Sequence, residues 1–173
     1  LIQGRQLLIS TLIDYAAEFH GDTEIVTKTV EGPIHRYTYA ESQSRAKSLA
    51  KALASRGVKL GDRIGTLAWN THRHFEVYYA TSGMGSICHT LNPRLFAEQL
   101  SYIVNHAEDK LLFVDGNLVP LVEQLAPTFE SVEGYIVMTD EANMPETSLP
   151  GALCYESLIK ENDDDLEWPS FDE

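Results

Sequence analysis

Residues 81–86, with the sequence TSGMGS, have the small side chains that phosphate-binding loops use. Such a loop curls successive backbone N–H groups around a phosphate and usually adds a lysine that meets its charge. No lysine or arginine follows this segment until Arg94. We therefore interpret residues 81–86 as a helix end that packs closely against the next strand, and not as a phosphate site.

Six histidines are present, and His72 and His74 lie two positions apart. On a helix these side chains would point about 200° apart, whereas helical zinc ligands lie four positions apart on one face. We therefore expect no metal site here. His89 falls at the carboxyl end of a predicted parallel strand, where ligands gather in open α/β sheets. We interpret it as a hydrogen-bonded structural residue, with ligand binding as the alternative.

Other catalytic signatures are missing from the sequence. No serine lies in a GxSxG elbow, no cysteine has a histidine base beside it, and no GxGxxG motif follows the first predicted strand. Cys88 and Cys154 fit no zinc or CxxC spacing, which indicates reduced thiols and a cytoplasmic location. No catalytic residue and no metal ligand is assigned.

The front of the chain predicts a helix followed by a β-hairpin. Apolar residues recur at helical spacing over residues 10–20, with Ser10 or Thr11 available as a cap. Residues 25–30 and 35–38 are rich in β-forming side chains and are separated by a Glu-Gly-Pro turn.

A second helix is predicted after the hairpin. Thr38 and Glu41 have the spacing of a capping box, and Gly57 is placed to end the helix. Its predicted buried stripe consists of Ala46, Leu49, Ala50, Leu53 and Ala54.

Beyond this helix a short apolar strand, a turn and an amphipathic helix alternate along the chain. The predicted strands are residues 63–69, 86–90, 111–115 and 135–138, and Asn70 is the expected cap of the helix that ends near Met84. Strands that alternate with helices form a mostly parallel sheet with right-handed crossovers. The predicted fold class is therefore α/β, a mostly parallel sheet with flanking helices, preceded by a helix and a β-hairpin.

Residues 140–173 differ in composition from the rest. They contain 11 acidic residues and one basic residue, Lys160. We therefore divide the chain into an α/β subdomain, residues 1–139, and an acidic connector, residues 140–173, that leads to a part not present here. The aspartates at 163–165 are interpreted as solvated linker and not as a cation site.

Composition excludes several classes of function. The net charge of −13 argues against a nucleic-acid partner, because phosphate-backbone binding depends on clustered lysine and arginine. No apolar run approaches the roughly 18 residues of a membrane span. The first 13 residues do not have the pattern of a secretory signal.

One stretch of the chain resembles a known family. Residues 37–115 are similar to the amino-terminal region of the adenylate-forming (AMP-binding) superfamily, and within it to the fatty-acyl-CoA ligases. The matching motifs are YTY at 37–39, GVKLGDRI at 57–64, LAWN at 67–70, EVYYA at 76–80, MGSICHTLNPRL at 84–95 and LSYIVNHAE at 100–108. The chain departs from the family pattern at Ser86, where alanine is common, and at residues 96–97, where Thr-Pro is usual.

The resemblance implies a two-step reaction in the full-length protein. A carboxylate attacks the α-phosphate of ATP in the presence of Mg²⁺, which gives an acyl-adenylate and releases pyrophosphate. The CoA thiol then displaces AMP from the acyl-adenylate and forms the thioester. The family's phosphate loop and catalytic lysine lie further along the chain, and residues 168–173 resemble the sequence that leads to that loop. We therefore expect the 173-residue chain to be inactive alone and to bind none of these cofactors tightly.

Asn92 and Arg94 are the candidate cofactor-binding residues. In related ligases the segment that matches residues 91–95 lies beside the CoA channel, so these two side chains are candidates for contacts to the pantetheine or a phosphate of CoA. The alternative is that Pro93 shapes a loop while Arg94 pairs with a nearby carboxylate.

The substrate and the oligomeric state are predicted from the same resemblance. We expect a medium- or long-chain fatty acid, with aryl acids as an open alternative, and a homodimer. A second interpretation is a non-catalytic dimerisation or interaction module derived from this domain. A freestanding nucleotide- or flavin-binding domain is a third, which the missing phosphate loop argues against.

Overall fold

Helix and strand boundaries follow the hydrophobic pattern closely in residues 6–171, the part of the chain described by the computed structural model. In chain order the elements are α1 (Ser10–His20), β1 (Glu24–Lys28), β2 (Ile34–Thr38), α2 (Tyr39–Ser55), β3 (Arg63–Leu67), α3 (His72–Met84), β4 (Ile87–Thr90), α4 (Ala97–Ala107), β5 (Asp109–Val114), α5 (Val119–Leu125), β6 (Gly134–Val137), β7 (Leu153–Cys154) and α6 (Tyr155–Lys160).

Five parallel strands form the main sheet, in the order β4-β3-β5-β6-β7. The prediction of a mostly parallel α/β sheet is confirmed, but its count of four strands is wrong. The fifth strand, β7, is only two residues long and pairs with Ile136 and Val137. It lies within the segment that was expected to be a connector, and its two residues are too short a run to show a period of two.

The predicted hairpin is confirmed as an antiparallel pair of β1 and β2. The capping box that follows it is also confirmed. The hydroxyl of Thr38 accepts a hydrogen bond from the backbone N–H of Glu41 at 3.2 Å, and the carboxylate of Glu41 accepts one from the backbone N–H of Thr38 at 2.7 Å. Gly57 lies just past α2 with φ of +79°, in the left-handed region that glycine adopts without strain.

Two predicted helix caps are wrong. Neither Ser10 nor Thr11 caps α1; the Thr11 hydroxyl donates instead to the carbonyl of Leu8 at 2.7 Å. Helix α3 begins after Thr71 and not after Asn70, and the Thr71 side chain makes no capping hydrogen bond. Residue type alone does not decide a cap. If the helix begins one position earlier or later than expected, the side-chain oxygen can no longer reach the free backbone N–H groups of the first turn.

Two apolar cores lie on opposite faces of the sheet, as the alternation along β5 shows. Leu111 and Phe113 belong to one core, and Leu112 and Val114 to the other. Helices α2, α3 and α6 cover the first face, while α4 and α5 cover the second. The predicted stripe of α2 is buried except for Ala54, which is exposed.

Two large apolar residues, Leu12 on α1 and Phe96 just before α4, are exposed. None of the helices in residues 6–171 has the length and apolar character that crossing a membrane requires.

Candidate functional site

The β4–α4 connection holds Asn92 and Arg94 in one β-turn. The backbone N–H of Leu95 donates to the carbonyl of Asn92 at 3.2 Å, and Pro93 occupies the second turn position. The side-chain oxygen of Asn92 accepts a hydrogen bond from the backbone N–H of Arg94 at 3.0 Å. This Asx-type bond stiffens the turn and fixes the backbone from which the guanidinium extends.

Arg94 is exposed and forms no ion pair with any residue in the described part of the chain. The alternative in which Arg94 pairs with a nearby carboxylate is therefore not seen in residues 6–171. A guanidinium with a planar fork of donors suits bidentate contact with phosphate oxygens. Within residues 6–171, the turn thus presents a guanidinium whose donors have no side-chain partner.

His89 forms a structural pair with Asp109, as expected of a hydrogen-bonded histidine. Its Nδ1 lies 2.9 Å from each carboxylate oxygen of Asp109, which is fully buried. Burial raises the pKa of Asp109, although the contact with His89 acts in the opposite direction. The pair crosses the intervening strand β3 at Gly65, where a Cβ atom would lie 2.9 Å from Oδ2 of Asp109.

The glycines of residues 81–86 are contact points for the end of the chain. The segment is a helix end, as predicted, but it is Trp168 and Phe171 that pack on the glycines, and not only the next strand. A Cβ atom at Gly83 would lie 2.5 Å from the Trp168 ring, and one at Gly85 would lie 2.5 Å from the Phe171 ring. The indole N–H of Trp168 also donates to Asp14 on α1 at 3.1 Å.

Replacing Gly83 with alanine should displace Trp168. The added methyl group overlaps the ring, and overpacking of this kind costs about 1–3 kcal/mol. In a Trp69→Phe background, which leaves Trp168 as the one tryptophan of this 173-residue sequence, excitation at 295 nm selects its emission. We expect a red shift of that emission and a lower free energy of unfolding. Gly116→Ala is the control, because nothing lies within 4 Å of its Cβ position. Equal spectra for the two variants would contradict the predicted contact.

A buried network of ion pairs joins four parts of the fold. Arg45 on α2 contacts Glu76 on α3 at 2.9 Å and Glu156 on α6 at 3.0 Å. Arg73 contacts Glu156 at 2.8 Å and Glu31, in the hairpin turn, at 2.7 Å. This network was not predicted, because its members are spread over 126 positions and each lies in an ordinary helix or turn pattern.

Burial alone would raise the pKa of Glu156, but contacts with His72 and Arg45 hold it well below its usual value. The hydroxyl of Tyr155 donates to Glu76 at 2.7 Å, so this fully buried carboxylate is bonded on both oxygens. Every member of the set Arg45, Glu76 and Glu156 thus has a charged partner, which is the condition for burying such groups.

Asp115 lies at the carboxyl end of the central strand β5, beside this network. Its Oδ2 accepts a hydrogen bond from the backbone N–H of Trp69 at 2.5 Å, while its buried Oδ1 has no partner within residues 6–171. Burial raises the pKa of Asp115 to about 6, although the hydrogen bond from Trp69 opposes the shift.

The stability of Asp115→Asn relative to the parent chain should depend on pH. Since the folded-state pKa is raised, the folded parent holds its proton more tightly than the unfolded chain and loses stability as the pH rises from about 4 through 6. The neutral variant avoids this loss and should gain up to about 3 kcal/mol over the parent above pH 6. Urea unfolding at pH 4.5, 5.5, 6.5 and 7.5 measures the difference. A difference that stays constant with pH would contradict the prediction.

No cluster of three or more His, Cys, Asp or Glu side chains suited to a metal ion occurs in the described residues. The acidic run at 163–165 contacts Lys51 and Ser44 on α2 instead.

A five-stranded parallel sheet with helices on both faces and a preceding hairpin is shared with solved adenylate-forming enzymes. The anthranilate CoA ligase AuaEII, in complex with anthranoyl-AMP, superposes with a TM-score of 0.78 at 18% identity, over 92% of this chain and 29% of that chain. Acetoacetyl-CoA synthetase from Streptomyces lividans gives a TM-score of 0.79 at 19% identity, over 92% of this chain and 26% of that chain. At 18–19% identity, these structural similarities establish the fold class alone.

The sequence profile of the AMP-binding enzyme family matches residues 13–166, and the chain belongs to this family. It is 47% identical to a 3-methylmercaptopropionyl-CoA ligase from Ruegeria lacuscaerulensis, 41% to a medium-chain-fatty-acid--CoA ligase from Ectopseudomonas oleovorans and 42% to a long-chain-fatty-acid--CoA ligase from Thermus thermophilus. These matches cover 95–97% of this chain, which spans only 29–31% of the length of the relatives.

Proposed function

We propose that this chain is the amino-terminal part of an ATP-dependent acyl-CoA ligase. The observation that carries the proposal is the family match over residues 13–166, supported by relatives named as CoA ligases that align with nearly the whole chain. The full-length protein would join a carboxylic acid to CoA through an acyl-adenylate, at the expense of ATP. It acts in the cytoplasm as a homodimer under this proposal.

The groups that would hold ATP and Mg²⁺ are not provided by residues 6–171. The small-residue segment at 81–86 is filled by Trp168 and Phe171, and no carboxylate cluster suited to a cation is present in the described residues. These residues therefore do not fit either group. We propose that both bind to the portion of the protein beyond residue 173, toward which residues 140–173 lead, and that the chain alone is inactive.

Asn92 and Arg94 do fit a contact with CoA. The turn is exposed, the side chain of Asn92 is used to hold the backbone, and the guanidinium of Arg94 has no carboxylate partner in the described residues. In this proposal Arg94 binds a phosphate of CoA, and Asn92 positions Arg94 by fixing the turn.

The proposed acid is a medium- or long-chain fatty acid. Two of the relatives with more than 40% identity carry such names. The relative at 47% identity is named for 3-methylmercaptopropionate, which makes a short thioether acid the second candidate. Both candidates are unbranched aliphatic carboxylates. They differ in the length of the acyl group that the full-length protein must enclose.

The test is an assay of the full-length protein with ATP, CoA and one acid at a time. Octanoate, palmitate and 3-methylmercaptopropionate are compared by kcat/KM, with release of AMP and pyrophosphate as the readout. Formation of an acyl-CoA from any of them supports the ligase proposal, and the highest kcat/KM identifies the acid. If the protein is folded and releases no AMP with any of the three acids, the ligase proposal is overturned.

Arg94→Ala in the full-length protein should raise the KM for CoA about tenfold, because a charge-assisted hydrogen bond to phosphate is worth about 1.5 kcal/mol or more. The KM values for ATP and the acid should not change, since Arg94 is proposed to contact neither. Arg56→Ala, at an exposed position past the end of α2, is the matched control. A KM for CoA that is equal in the two variants would exclude the contact.

The alternative, a non-catalytic dimerisation module, is favoured by one feature. Helix α1 presents an exposed apolar face that consists of Leu12, Tyr15 and Phe19. Sedimentation of the 173-residue chain distinguishes the two proposals: a monodisperse dimer supports a module that assembles alone, whereas a polydisperse mixture supports a part separated from its enzyme.

A further inference from the structure

The β1–β2 hairpin is a separate two-stranded sheet that pairs with no strand of the main sheet in the described part of the chain. Polar and aromatic side chains attach it to the rest of the fold at two points. In the turn, the carboxylate of Glu31 accepts hydrogen bonds from Arg73 at 2.7 Å and from the hydroxyl of Thr139 at 2.8 Å. On β2, the ring of His35 stacks on that of His72, at the start of α3, with centroids 3.9 Å apart and planes 19° apart.

The hydrogen bonding of the two rings favours their neutral forms. Nε2 of His35 and Nδ1 of His72 are buried, and neither has a hydrogen-bond partner among residues 6–171. A neutral imidazole leaves one nitrogen without a hydrogen, so each ring can place that nitrogen at the buried position. A protonated ring carries a hydrogen on both nitrogens. Its second N–H would then be buried without an acceptor, which is costly.

The charges around His35 also oppose its protonation. The groups that face it come from three helices: His72 and Arg73 on α3, Arg45 and Glu41 on α2, and Glu156 on α6. Glu156 is already bonded to both arginines, and Glu41 is bonded within the capping box of α2. A proton on His35 would therefore add a positive charge beside two arginines and a second imidazole, and both of these carboxylates already have partners.

The resulting change in docking with pH has a definite sign. Burial lowers the pKa of His35, and the nearness of His72 and Arg45 lowers it further, while Glu156 opposes the shift. The ring of a released hairpin binds a proton more readily than the docked ring. Docking is therefore strongest above about pH 6.5, the value of an unperturbed histidine, and weakens as the pH falls below it.

The contact in the turn does not respond in this range. Although burial alone would raise the pKa of Glu31, hydrogen bonds from its own backbone, from Thr139 and from Arg73 lower it. Glu31 therefore stays ionised and paired with Arg73 from about pH 5 upward.

We propose that the stacked pair of His35 and His72 is an acid-sensitive latch, which holds β2 on α3 while both rings are neutral and opens when His35 is protonated. Release would expose Tyr37, which is 5% exposed and has its ring centroid 5.0 Å from that of His35 and 5.8 Å from that of His72. The latch goes beyond the proposed ligase function and does not depend on it.

Hydrogen exchange of the full-length protein, followed by mass spectrometry, tests the latch. A two-stranded hairpin alone is only marginally stable in water, so the amides of β1 and β2 should exchange when the hairpin is released. We expect their protection factors, corrected for intrinsic exchange, to fall at least about fivefold from pH 7.5 to pH 5.5. Those of the central strand β5 should not fall and report global opening. Failure of the ligase assay would not affect this readout.

His35→Phe keeps a ring against His72 but cannot be protonated, so its hairpin protection should change less than about twofold over this range. His106→Phe is the matched control, because His106 also stacks on an aromatic ring, that of Tyr102, but at an exposed position on α4. It should keep the pH dependence of the parent protein. Asp115, which titrates with the opposite sign, is present in all three proteins, so differences among them isolate His35.

If the hairpin of His35→Phe is unprotected at every pH, an NMR titration of the His35 ring in the parent protein replaces the variant. The ring should take up its proton below pH 6.5, in the range where the hairpin loses protection. Three results would each overturn the proposal: hairpin protection that does not depend on pH, parental pH dependence in His35→Phe, or a hairpin that stays protected after the His35 ring is protonated.

Discussion

Replacing Arg45 with methionine should lower the free energy of unfolding by about 3–5 kcal/mol, the cost of leaving buried charges without their partner. Arg45 contacts Glu76 at 2.9 Å and Glu156 at 3.0 Å, and Glu76 has no exposure to solvent. Methionine keeps much of the length and apolar contact of the side chain but not the charge. Urea unfolding at pH 7, followed by circular dichroism, measures the loss.

Arg36→Met provides the matched control, because Arg36 pairs with Glu24 on the exposed hairpin at 2.6 Å. Exposed pairs contribute about 0–1 kcal/mol, so this variant should remain close to the parent chain. The double variant Arg45→Met with Glu76→Met removes both buried charges and should recover part of the stability lost in Arg45→Met. Similar losses for Arg36→Met and Arg45→Met would mean that the buried network does not hold the helices together.

Replacing Tyr155 with alanine should cost about 3–5 kcal/mol, as expected for removal of a large, fully buried aromatic side chain. The ring of Tyr155 packs edge to face on Phe113 of the central strand, with centroids 6.2 Å apart. Its hydroxyl donates to Glu76 at 2.7 Å, so the variant also removes a bond to a buried carboxylate. The same unfolding experiment measures the effect.

Tyr102→Ala is the control for this change, because Tyr102 is 66% exposed on α4 and its ring stacks on that of His106. We expect its effect to stay within about 0.5 kcal/mol. Tyr155→Phe keeps the ring and removes only the hydroxyl, so it separates packing from the hydrogen bond. A loss below about 1 kcal/mol in Tyr155→Ala would mean that α6 is not part of the cooperative core.

Helix α6 was not predicted from the sequence, which placed its residues in a connector. Residues 153–159 have an apolar pattern, but they are surrounded by proline and acidic residues, and the strand among them has two residues. Local periodicity needs several residues to become visible. Tyr155, Leu158 and Ile159 are buried against α2, α3 and the sheet. The two helices lie more than 60 positions before α6 in the sequence.

The functional features likewise include some that were predicted from the sequence and some that were seen only in the structure. Asn92 and Arg94 were predicted from the resemblance of residues 91–95 to the acyl-CoA ligases. The structure adds that the Asn92 side chain holds the turn while Arg94 is exposed. A cleft between β1 and the first half of α3, lined by Ile25, Thr71 and Phe75 among others, was not predicted, because its two walls are separated by more than 40 positions along the chain.

Features that depend on neighbours along the chain could be predicted from the residues alone: helices α1 to α5, most strands, the capping box at Thr38, the helix ends at Gly57 and near Met84, and the α/β class. The fifth strand, the ion pairs of Arg45 and Arg73, and the aromatic contacts on Gly83 became visible once the chain was folded. The difference arises because hydrogen bonds within a helix or turn join residues at most a few positions apart. Burial, charge pairing and close packing depend on which distant segments meet across the sheet.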